Sequence, residues 1–488
     1  MSRSRSRRRR YDNKNTEIMA DIIQEDQYSD VSLEDIQANI LQSHGRGYAW
    51  HLFLRLNGNQ RQIRHWISWL AQRITSAENH NAAATEWQNA KKIGKQKEID
   101  EQILLCFFLS AKGYEQFTFS DESIPGDRSF QLGMKRGEVN SRLKDPPSGK
   151  WADDYRNQID AMVLIAHNSE KELEKEKNAI EDNLKGHKAG KILFVEKGVK
   201  LVSKLDNKTP IEHFGYVDGI SQPVFLTEER EPITGNLSTV LEKESEGRYG
   251  SYLVFRKLEQ DVPAFNKKIK ALASVLGVSP EEAGARVVGR FPNGTHLSHF
   301  DSPQPKEKWP EEKEVNFKDD PNGRRCPLHA HIRKMHHRGA VKGKPIFRIA
   351  RRGITYEGRP GEKPGLLFMS YQKSISCQFE VLQGQWANGL DFPNKNTGID
   401  PLIGQMIVGE QQQQWPGRES DKVAFSFQDV VALKGGEYFY APSISYLKNL
   451  KFERPTISAR GVEGGGRTSR RPRSYVQRMN LKGNLKLY

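Results

Sequence analysis

The chain has 488 residues and three cysteines, and its length predicts two domains or a duplicated core. The odd cysteine count and the lack of a Cys-x-x-Cys pair exclude a disulfide framework and favour a reducing compartment; together with the lack of a recognisable secretory signal, they predict a cytoplasmic location. The formal net charge is +15, and because the sequence has no run of about twenty apolar residues, we expect no membrane-spanning segment.

The positive charge is concentrated at both ends of the chain. The first ten residues hold six arginines and no acid, and Glu463 is the only acid between Arg454 and Tyr488. Segments of this composition usually stay solvated and attract polyanions. We therefore predict a basic arm over residues 1–32 and a basic tail over residues 456–488, and either nucleic acid binding or a role in solubility and partner docking fits them.

The first half of the chain predicts alternating strands and helices. Its strands are expected at residues 51–56, 103–110, 161–167 and 191–202. Apolar residues at helical spacing from Ile63 to Ile74 predict one helix. Ser169 and Glu172 predict a capping box at the start of another helix, and Gly186 is the expected C-terminal cap of that helix.

The second half repeats this alternation. Its strands are expected at residues 251–258, 365–372 and 437–443. One predicted helix stops at Gly277, and another starts at Ser279 with a capping box completed by Glu282. Because both halves follow a ferredoxin-like β-α-β order, we predict an α+β fold of two ferredoxin-like halves, with domains at residues 33–205 and 206–455.

Four segments of the second half combine residues that are suited to chemistry. In the first segment, Asp218 lies between Gly215 and Gly219, ahead of a proline. This pattern predicts a backbone that bends tightly around one carboxylate. Taken alone, an ordinary Asp-Gly turn is the commoner explanation.

The second segment holds Cys326 and four histidines within twelve residues. The spacing of Cys326, His329 and His331 is compatible with a zinc site. One imidazole is equally compatible with an axial ligand of haem iron, and the neighbouring basic residues fit a plain surface loop. No Cys-x-x-Cys-His motif is present, which excludes covalent c-type haem attachment.

The third and fourth segments lie close together in the sequence. Arginines alternate with apolar residues between Arg348 and Arg352, ahead of Gly353. This pattern predicts either a guanidinium that is held at a strand end, where it stabilises an anion, or two exposed arginines on an edge strand. The fourth segment, residues 365–372, is a buried strand whose apolar side chains either line a cofactor pocket or pack in the core.

Together and in this order, the four segments resemble the dye-decolorizing peroxidase family. The motifs that carry the resemblance are GYVDG at 215–219, ISQP at 220–223, CPLHAHIRK at 326–334, RIARRGITY at 348–356 and GLLFMSYQ at 365–372. The similarity runs from about Asp35 to Leu447. It implies two ferredoxin-like halves with haem in the C-terminal half, in agreement with the pattern of predicted elements.

The resemblance also implies roles for individual residues. Three positions match the catalytic set of the family, namely Asp218 as the distal aspartate, His331 as the proximal haem ligand and Arg351 as the distal arginine. Three more positions are expected to line or support the cofactor site, namely Leu366 and Phe368 on the peroxide side and Asp400 behind His331. In this arrangement His329 does not match the ligand position.

The implied activity is that of a peroxidase with one non-covalent haem b per chain. It reduces hydrogen peroxide to water and oxidises bulky organic donors such as anthraquinone dyes or phenols. Asp218 is expected to move the proton as general base and then general acid, while the charge of Arg351 stabilises the departing oxygen. Because an aspartate base beside an arginine works at lower pH than a histidine base, we expect an acidic activity optimum.

Other functions compete with this one. They are a haem-binding, porphyrin-binding or iron-releasing protein without dye peroxidase activity, a polyanion-binding protein that acts through its tails, and a zinc protein. Homo-oligomers are a further expectation for a sheet-rich protein of this kind. Surface aromatic residues are expected as candidates for electron relay, namely Trp386, Trp415, Tyr438 and Tyr440, although aromatic residues at such places more often pack in the core.

Overall fold

The computed structural model describes residues 28–95, 102–118, 124–227, 234–310, 317–336, 347–405, 413–416, 422–427 and 429–452. The predicted basic tail and residues 1–27 of the predicted basic arm lie outside these ranges. The described part of the predicted arm begins at Tyr28, which is buried and whose hydroxyl donates to the carbonyl oxygen of Leu241 at 3.2 Å. Among the described residues, no helix combines the length and the apolar character needed to cross a membrane.

The described residues form twelve strands. They are β1 (Tyr48–Leu56), β2 (Leu104–Leu109), β3 (Ala161–His167), β4 (Gly190–Val199), β5 (Glu242–Ser245), β6 (Arg248–Gln260), β7 (Ala350–Arg351), β8 (Ile354–Tyr356), β9 (Gly365–Gln372), β10 (Gln413–Pro416), β11 (Lys422–Phe425) and β12 (Val431–Ala441). Ten of them form one sheet in the order β4-β1-β3-β2-β12-β6-β9-β7, with β5 paired to β6 and β8 paired to β9. β10 and β11 form a separate antiparallel pair.

The helices in the same part of the chain are mostly short. The α-helices are Ala38–Leu41, Gln60–Ala71, Ala77–Lys92, Ala111–Tyr114, Arg128–Leu132, Gly137–Leu143, Asp153–Arg156, Glu170–Gly186, Thr234–Leu237, Val262–Leu276, Pro280–Val288, His331–Met335 and Ile444–Asn449. Two π-helices, Ile375–Phe379 and Val381–Ala387, follow β9, and 3₁₀ turns lie at Ser148–Lys150, Lys306–Lys308 and Leu450–Phe452.

Both halves of the chain follow the predicted order of elements. In the first half, helices follow β1 and β3, and β4 completes a β-α-β-β-α-β unit. In the second half, β6, the two helices after it, β8, β9, the π-helices and β12 repeat that order. The predicted α+β fold of two ferredoxin-like halves is confirmed.

The two halves share one sheet that closes on itself. Leu109 of β2 pairs with Tyr440 of β12, which joins the halves edge to edge. At the far ends, the hydroxyl of Thr355 in β8 donates to the carbonyl oxygen of Val199 in β4 and accepts from the N–H of Leu201. Because these strands stand at opposite ends of the sheet order, the contact closes the sheet into a barrel-like layer.

Aromatic side chains fill the space inside this sheet. The buried ring of Phe53 stacks on Phe194 with centroids 4.5 Å apart and meets Phe255 edge-on at 5.0 Å. Phe53 and Phe194 belong to the first half, while Phe255 belongs to the second. The two halves are therefore held by one continuous apolar core as well as by their shared sheet.

Two of the predicted helix caps differ from the structure. The Ser169 side chain makes no cap hydrogen bond, so the predicted capping box is wrong. The capping box is replaced by two other contacts. The Ser169 N–H donates to His167 Nδ1 at 2.9 Å, and the Glu172 carboxylate binds Lys175 at 2.7 Å. Gly186 lies inside its helix, which is capped instead by His187.

The predicted helix boundaries in the second half are confirmed. Gly277 adopts the left-handed conformation at the end of its helix, with φ of +63°, which glycine accommodates without strain. The Ser279 hydroxyl accepts a hydrogen bond from the N–H of Glu282 at 3.1 Å, and Pro280 follows at the first helical position. The Ser279 half of that predicted box is therefore present.

A buried histidine makes the fold sensitive to acid. His51 of β1 is buried, and burial lowers its pKa to about 4. The unfolded chain takes up this proton near pH 6.5 while the folded chain does not, so stability is lost as the pH falls from about 6.5 to about 4. We expect His51→Leu to reduce that loss by roughly 3 kcal/mol in urea unfolding.

The exposed histidine His65, on the Gln60–Ala71 helix, provides the control for this prediction. His65→Leu is expected to leave the acid-dependent loss as it is in the wild type. An equal loss of stability in His51→Leu and the wild type over this pH range would contradict the assignment.

Candidate active site

A cavity of about 750 Å³ lies in the second half of the chain. Its wall includes five of the six predicted site residues, namely Asp218, His331, Arg351, Leu366 and Phe368. The sixth, Asp400, lies behind the wall and contacts His331. A mainly apolar cavity of this size with a few convergent polar groups is the usual form of a ligand site.

Asp218 stands on the bent loop that the sequence predicts. Gly215 and Gly219 have φ of +95° and +83°, which glycine reaches at low cost. The backbone N–H of Asp218 donates to the carbonyl oxygen of Pro210 at 3.0 Å, and the N–H of Gly219 donates to Asp218 Oδ1 at 2.7 Å. The half-buried carboxylate is thus carried on a backbone that is fixed on both sides.

Glu212, which no sequence pattern predicted, organises the same loop. Its carboxylate accepts hydrogen bonds from the N–H groups of Phe214 and Tyr216, both at 2.9 Å, and from Gln260 Nε2 at 2.6 Å. Burial raises the pKa of Glu212, the three hydrogen bonds offset part of that rise, and the charge of Asp218 adds to it. No short motif marks an acid whose partners are mostly backbone groups.

Arg351 is tied directly to the loop that carries Asp218. Its Nη2 donates to the carbonyl oxygen of Ile220 at 2.8 Å, and its backbone N–H donates to Gln222 Oε1 at 3.0 Å. Two hydrogen bonds therefore join strand β7 to this loop. Neighbouring Arg352 is 6% exposed, so Arg351 and Arg352 are not a pair of exposed arginines on an edge strand.

The fourth predicted segment, strand β9, has two faces with different surroundings. Leu366 and Phe368 are half-buried and line the cavity. Leu367 and Met369 point to the opposite face and are buried in the core. The alternation of a strand thus gives the same segment a cavity wall and a core face.

His331 begins a short helix and binds a buried carboxylate. Its Nδ1 lies 2.8 Å from Asp400 Oδ2, and the Asp400 side chain is 0% exposed. Asp400 Oδ1 accepts from the N–H groups of Leu402 at 2.8 Å and Ile403 at 3.0 Å. Burial acts to raise the pKa of Asp400, but His331 and these N–H groups outweigh it, so the pKa is lowered.

This hydrogen bond defines which nitrogen of His331 remains for a ligand. Because the pKa of Asp400 is lowered, its carboxylate accepts and His331 Nδ1 donates. The opposite nitrogen, Nε2, then carries the lone pair that a metal ion needs. His336, one turn further along, also lines the cavity.

Cys326, His329 and His331 do not form a zinc site. Cys326 is buried, and burial raises its pKa to about 12. The His329 ring packs against Trp415 with centroids 4.3 Å apart, and burial lowers its pKa to about 3. Within the ranges that the structure describes, no group of three His, Cys, Asp or Glu side chains is arranged to hold a metal ion.

The four aromatic candidates for electron relay are not surface residues. All four side chains are buried, namely those of Trp386, Trp415, Tyr438 and Tyr440. The structure therefore favours the alternative that these aromatic residues pack in the core.

Both halves of the chain match family models. Residues 35–197 match the model described as DyP dimeric alpha+beta barrel domain, and residues 209–394 match the model described as Dyp-type peroxidase, C-terminal. The predicted domain boundary between residues 205 and 206 falls between these ranges.

Curated proteins with similar sequences carry related names. The multifunctional dye peroxidase DyP2 of Amycolatopsis sp. is 32% identical over 464 residues, covering 86% of this chain and 96% of its own length. The dye-decolorizing peroxidase msp1 of Mycetinis scorodonius is 28% identical, covering 66% of this chain and 72% of its own length.

Solved structures agree with these sequence matches. A DyP-type peroxidase of Anabaena sp. superposes with a TM-score of 0.76 at 35% identity, covering 86% of this chain and 94% of that chain. DyP2 from Amycolatopsis sp. superposes with a TM-score of 0.74 at 31% identity, covering 86% of this chain and 96% of that chain.

Glu212→Gln tests the organisation of the Asp218 loop. The amide nitrogen of glutamine cannot accept a hydrogen bond, so at least one of the three donors loses its partner. We expect the free energy of unfolding to fall by about 1–3 kcal/mol in urea unfolding.

Gln260→Ala is the matched control, because it removes one donor to Glu212 and leaves the backbone N–H groups of Phe214 and Tyr216 bound. Its loss is expected to be smaller. Equal stability of Glu212→Gln and the wild type would show that the carboxylate does not hold the loop.

Proposed function

The chain belongs to the dye-decolorizing peroxidase family, and we propose that Asp218, Arg351 and His331 carry its chemistry around one haem group. It is a haem-dependent peroxidase that reduces hydrogen peroxide and oxidises dyes. The observation that carries the residue assignment is the shared cavity, where His331 is backed by Asp400 while Asp218 and Arg351 line the same space.

The cavity residues fit a haem group. Leu366 and Phe368 supply apolar wall, and the Nδ1 hydrogen bond leaves Nε2 of His331 for the iron. Arg290 and Lys318 also line the cavity, and their positive charge suits the carboxylate groups of a porphyrin. Since the sequence has no Cys-x-x-Cys-His motif, we propose one haem b per chain that is held without a covalent bond.

The protein residues around the iron have separate tasks. Bound haem supplies the metal centre at which peroxide is activated, and it stores the oxidising equivalents. His331 would hold that centre through Nε2. Asp400 accepts a hydrogen bond from Nδ1, which makes the imidazole more electron-rich and would so favour higher oxidation states of a bound iron.

On the peroxide side, proton movement and charge stabilisation fall to two different residues. Asp218 would take the proton from one oxygen atom of hydrogen peroxide and deliver it to the other, so that the O–O bond breaks with water as the leaving group, while bound haem would supply the two electrons. Arg351 stays protonated and cannot act as this base. Its guanidinium is anchored on Ile220 through Nη2, and its remaining N–H donors stabilise negative charge on the departing oxygen.

Several finer points remain proposals. We propose anthraquinone dyes and phenols as electron donors, and a homo-oligomer, which the word dimeric in one matching family description supports. The domain boundaries and the cytoplasmic location stay predictions. Nucleic acid binding through the tails also stays a prediction, because the arginine-rich first ten residues and the basic C-terminal tail lie outside the described residues. No observation favours a haem-binding or iron-releasing protein without peroxidase activity.

His331→Ala tests the assignment of the iron ligand. We expect the haem-loaded variant to lose the axial imidazole signals in electron paramagnetic resonance and resonance Raman spectra, because Nε2 of His331 supplies that ligand. His336→Ala is the matched control, since His336 lines the same cavity, and it should keep the wild-type signals. Loss of the signals in His336→Ala alone would transfer the ligand role to that residue.

Asp218→Asn tests the assignment of the proton-transfer group. Stopped-flow absorption of the haem-loaded protein with hydrogen peroxide is expected to show a reaction about 10²–10⁴-fold slower than in the wild type. The resting spectrum should stay unchanged, because Asp218 does not hold the iron. The wild-type activity optimum is expected at acidic pH.

An exposed aspartate, Asp301, supplies the control, and Asp301→Asn should react at the wild-type rate. A wild-type rate in Asp218→Asn, or an activity optimum above neutrality, would count against Asp218 as the base.

A further inference from the structure

Lys334 is a buried cation that the proposed proton transfer does not use. It lies three residues after His331 on the same short helix and is 0% exposed. Lysine is almost never fully buried unless it is paired, because removing an ammonium group from water is costly. Burial lowers the pKa of Lys334 to about 8, although the charge of Asp400 acts to raise it.

The ammonium group of Lys334 binds two backbone carbonyl groups. Its Nζ donates to the oxygen atoms of Gly389 and Gly398, each at 2.6 Å. These residues lie near the two ends of one loop, which is also closed by the hydrogen bond from the Gly398 N–H to the Leu390 carbonyl at 2.9 Å. Lys334 therefore fixes this loop to the helix that carries His331.

Asp400 follows directly from the fixed end of this loop. It stands two residues after Gly398, and its own N–H donates to the carbonyl oxygen of Ala387 at 2.7 Å. A closed ring of contacts results, running from His331 to Asp400, along the backbone to Gly398, across to Lys334 and back through the helix. Movement of Asp400 away from His331 requires this ring to open.

We propose that Lys334 is a positioning residue that holds the Asp400 carboxylate against His331 and thereby sets the electron-donating strength of the iron ligand. The inference rests on the proposed role of His331 as that ligand. Its physical reason is that the hydrogen bond from Nδ1 to a carboxylate tunes the imidazole, and such a bond depends steeply on distance and angle.

A positioning role and a purely electrostatic role of Lys334 predict opposite shifts in the reduction potential of a variant that lacks the ammonium group. If Lys334 positions Asp400, its removal weakens the hydrogen bond to His331, so the iron ligand becomes a poorer donor and the reduction potential rises. If Lys334 acts only through its charge, its removal leaves the site more negative, and the reduction potential falls. The sign of the shift therefore separates the two roles.

Arg333 offers a matched control within the same helix. It is 2% exposed and, like Lys334, donates to backbone carbonyl groups from a buried position. Its partners are Asp320 and the carbonyl oxygen of Cys326, on a different loop. Removal of Arg333 therefore deletes a buried cation of this helix without releasing the loop before Asp400.

The experiment compares Lys334→Met, Arg333→Met and Asp400→Asn as haem-loaded proteins. Two quantities are measured, the iron–histidine stretching frequency of the ferrous state by resonance Raman spectroscopy and the reduction potential by spectroelectrochemistry. We expect Lys334→Met to lower the frequency and raise the potential in the same direction as Asp400→Asn. Arg333→Met should keep the wild-type frequency, and any shift of its potential should be downward, as expected for the loss of a positive charge alone, even where its melting temperature falls.

Other outcomes overturn the proposal. An unchanged frequency in Lys334→Met, or a lower potential, would show that Lys334 acts through stability or charge alone. If Lys334→Met does not take up haem, Lys334→Gln, which lacks the charge and is too short to span both carbonyl groups, is judged by the same two shifts. If the wild type itself has no iron–histidine band that His331→Ala removes, the ligand assignment fails and both proposals fall.

Discussion

The hydrogen bond between His331 Nδ1 and the buried carboxylate of Asp400 is the interaction on which the site depends. A carboxylate that is 0% exposed is costly unless its oxygen atoms are bound. Here the imidazole and the N–H groups of Leu402 and Ile403 bind them. The same bond selects Nε2 of His331 as the free nitrogen, and His331 lines the cavity, so the proposed position of the iron follows from a requirement of folding.

The part of the cavity wall that includes Arg351 is held from both halves of the chain. Arg351 binds the loop of Asp218 through Ile220 and Gln222. The next residue, Arg352, is buried and donates to the carbonyl oxygens of Asn39 and Ile40, both at 3.1 Å, in the first half. Among the described residues, those that line the cavity belong to the second half, while the first half anchors the strand that presents Arg351.

The sequence predicts those features that depend on periodicity or on a short motif. Strand β9 was expected at residues 365–372 and occupies Gly365–Gln372, because a buried strand shows as an apolar run. The glycines around Asp218 likewise predicted the bent loop that the structure shows. Glu212 and Lys334 were not found, since their partners are mostly backbone groups, which any residue type supplies. The predicted capping box at Ser169 does not form, because the Ser169 N–H donates to His167 Nδ1 and His167 is not part of the capping-box pattern.

The most direct test of the account is a crystal structure of the haem-loaded protein. We expect the iron to be bound to Nε2 of His331 at about 2.0–2.1 Å, the usual length of a metal–imidazole bond, with Asp218 and Arg351 facing the opposite side of the haem. The Nδ1 hydrogen bond to Asp400 should be retained. Iron bound to another residue, or Asp218 and Arg351 on the same side of the haem as His331, would contradict it.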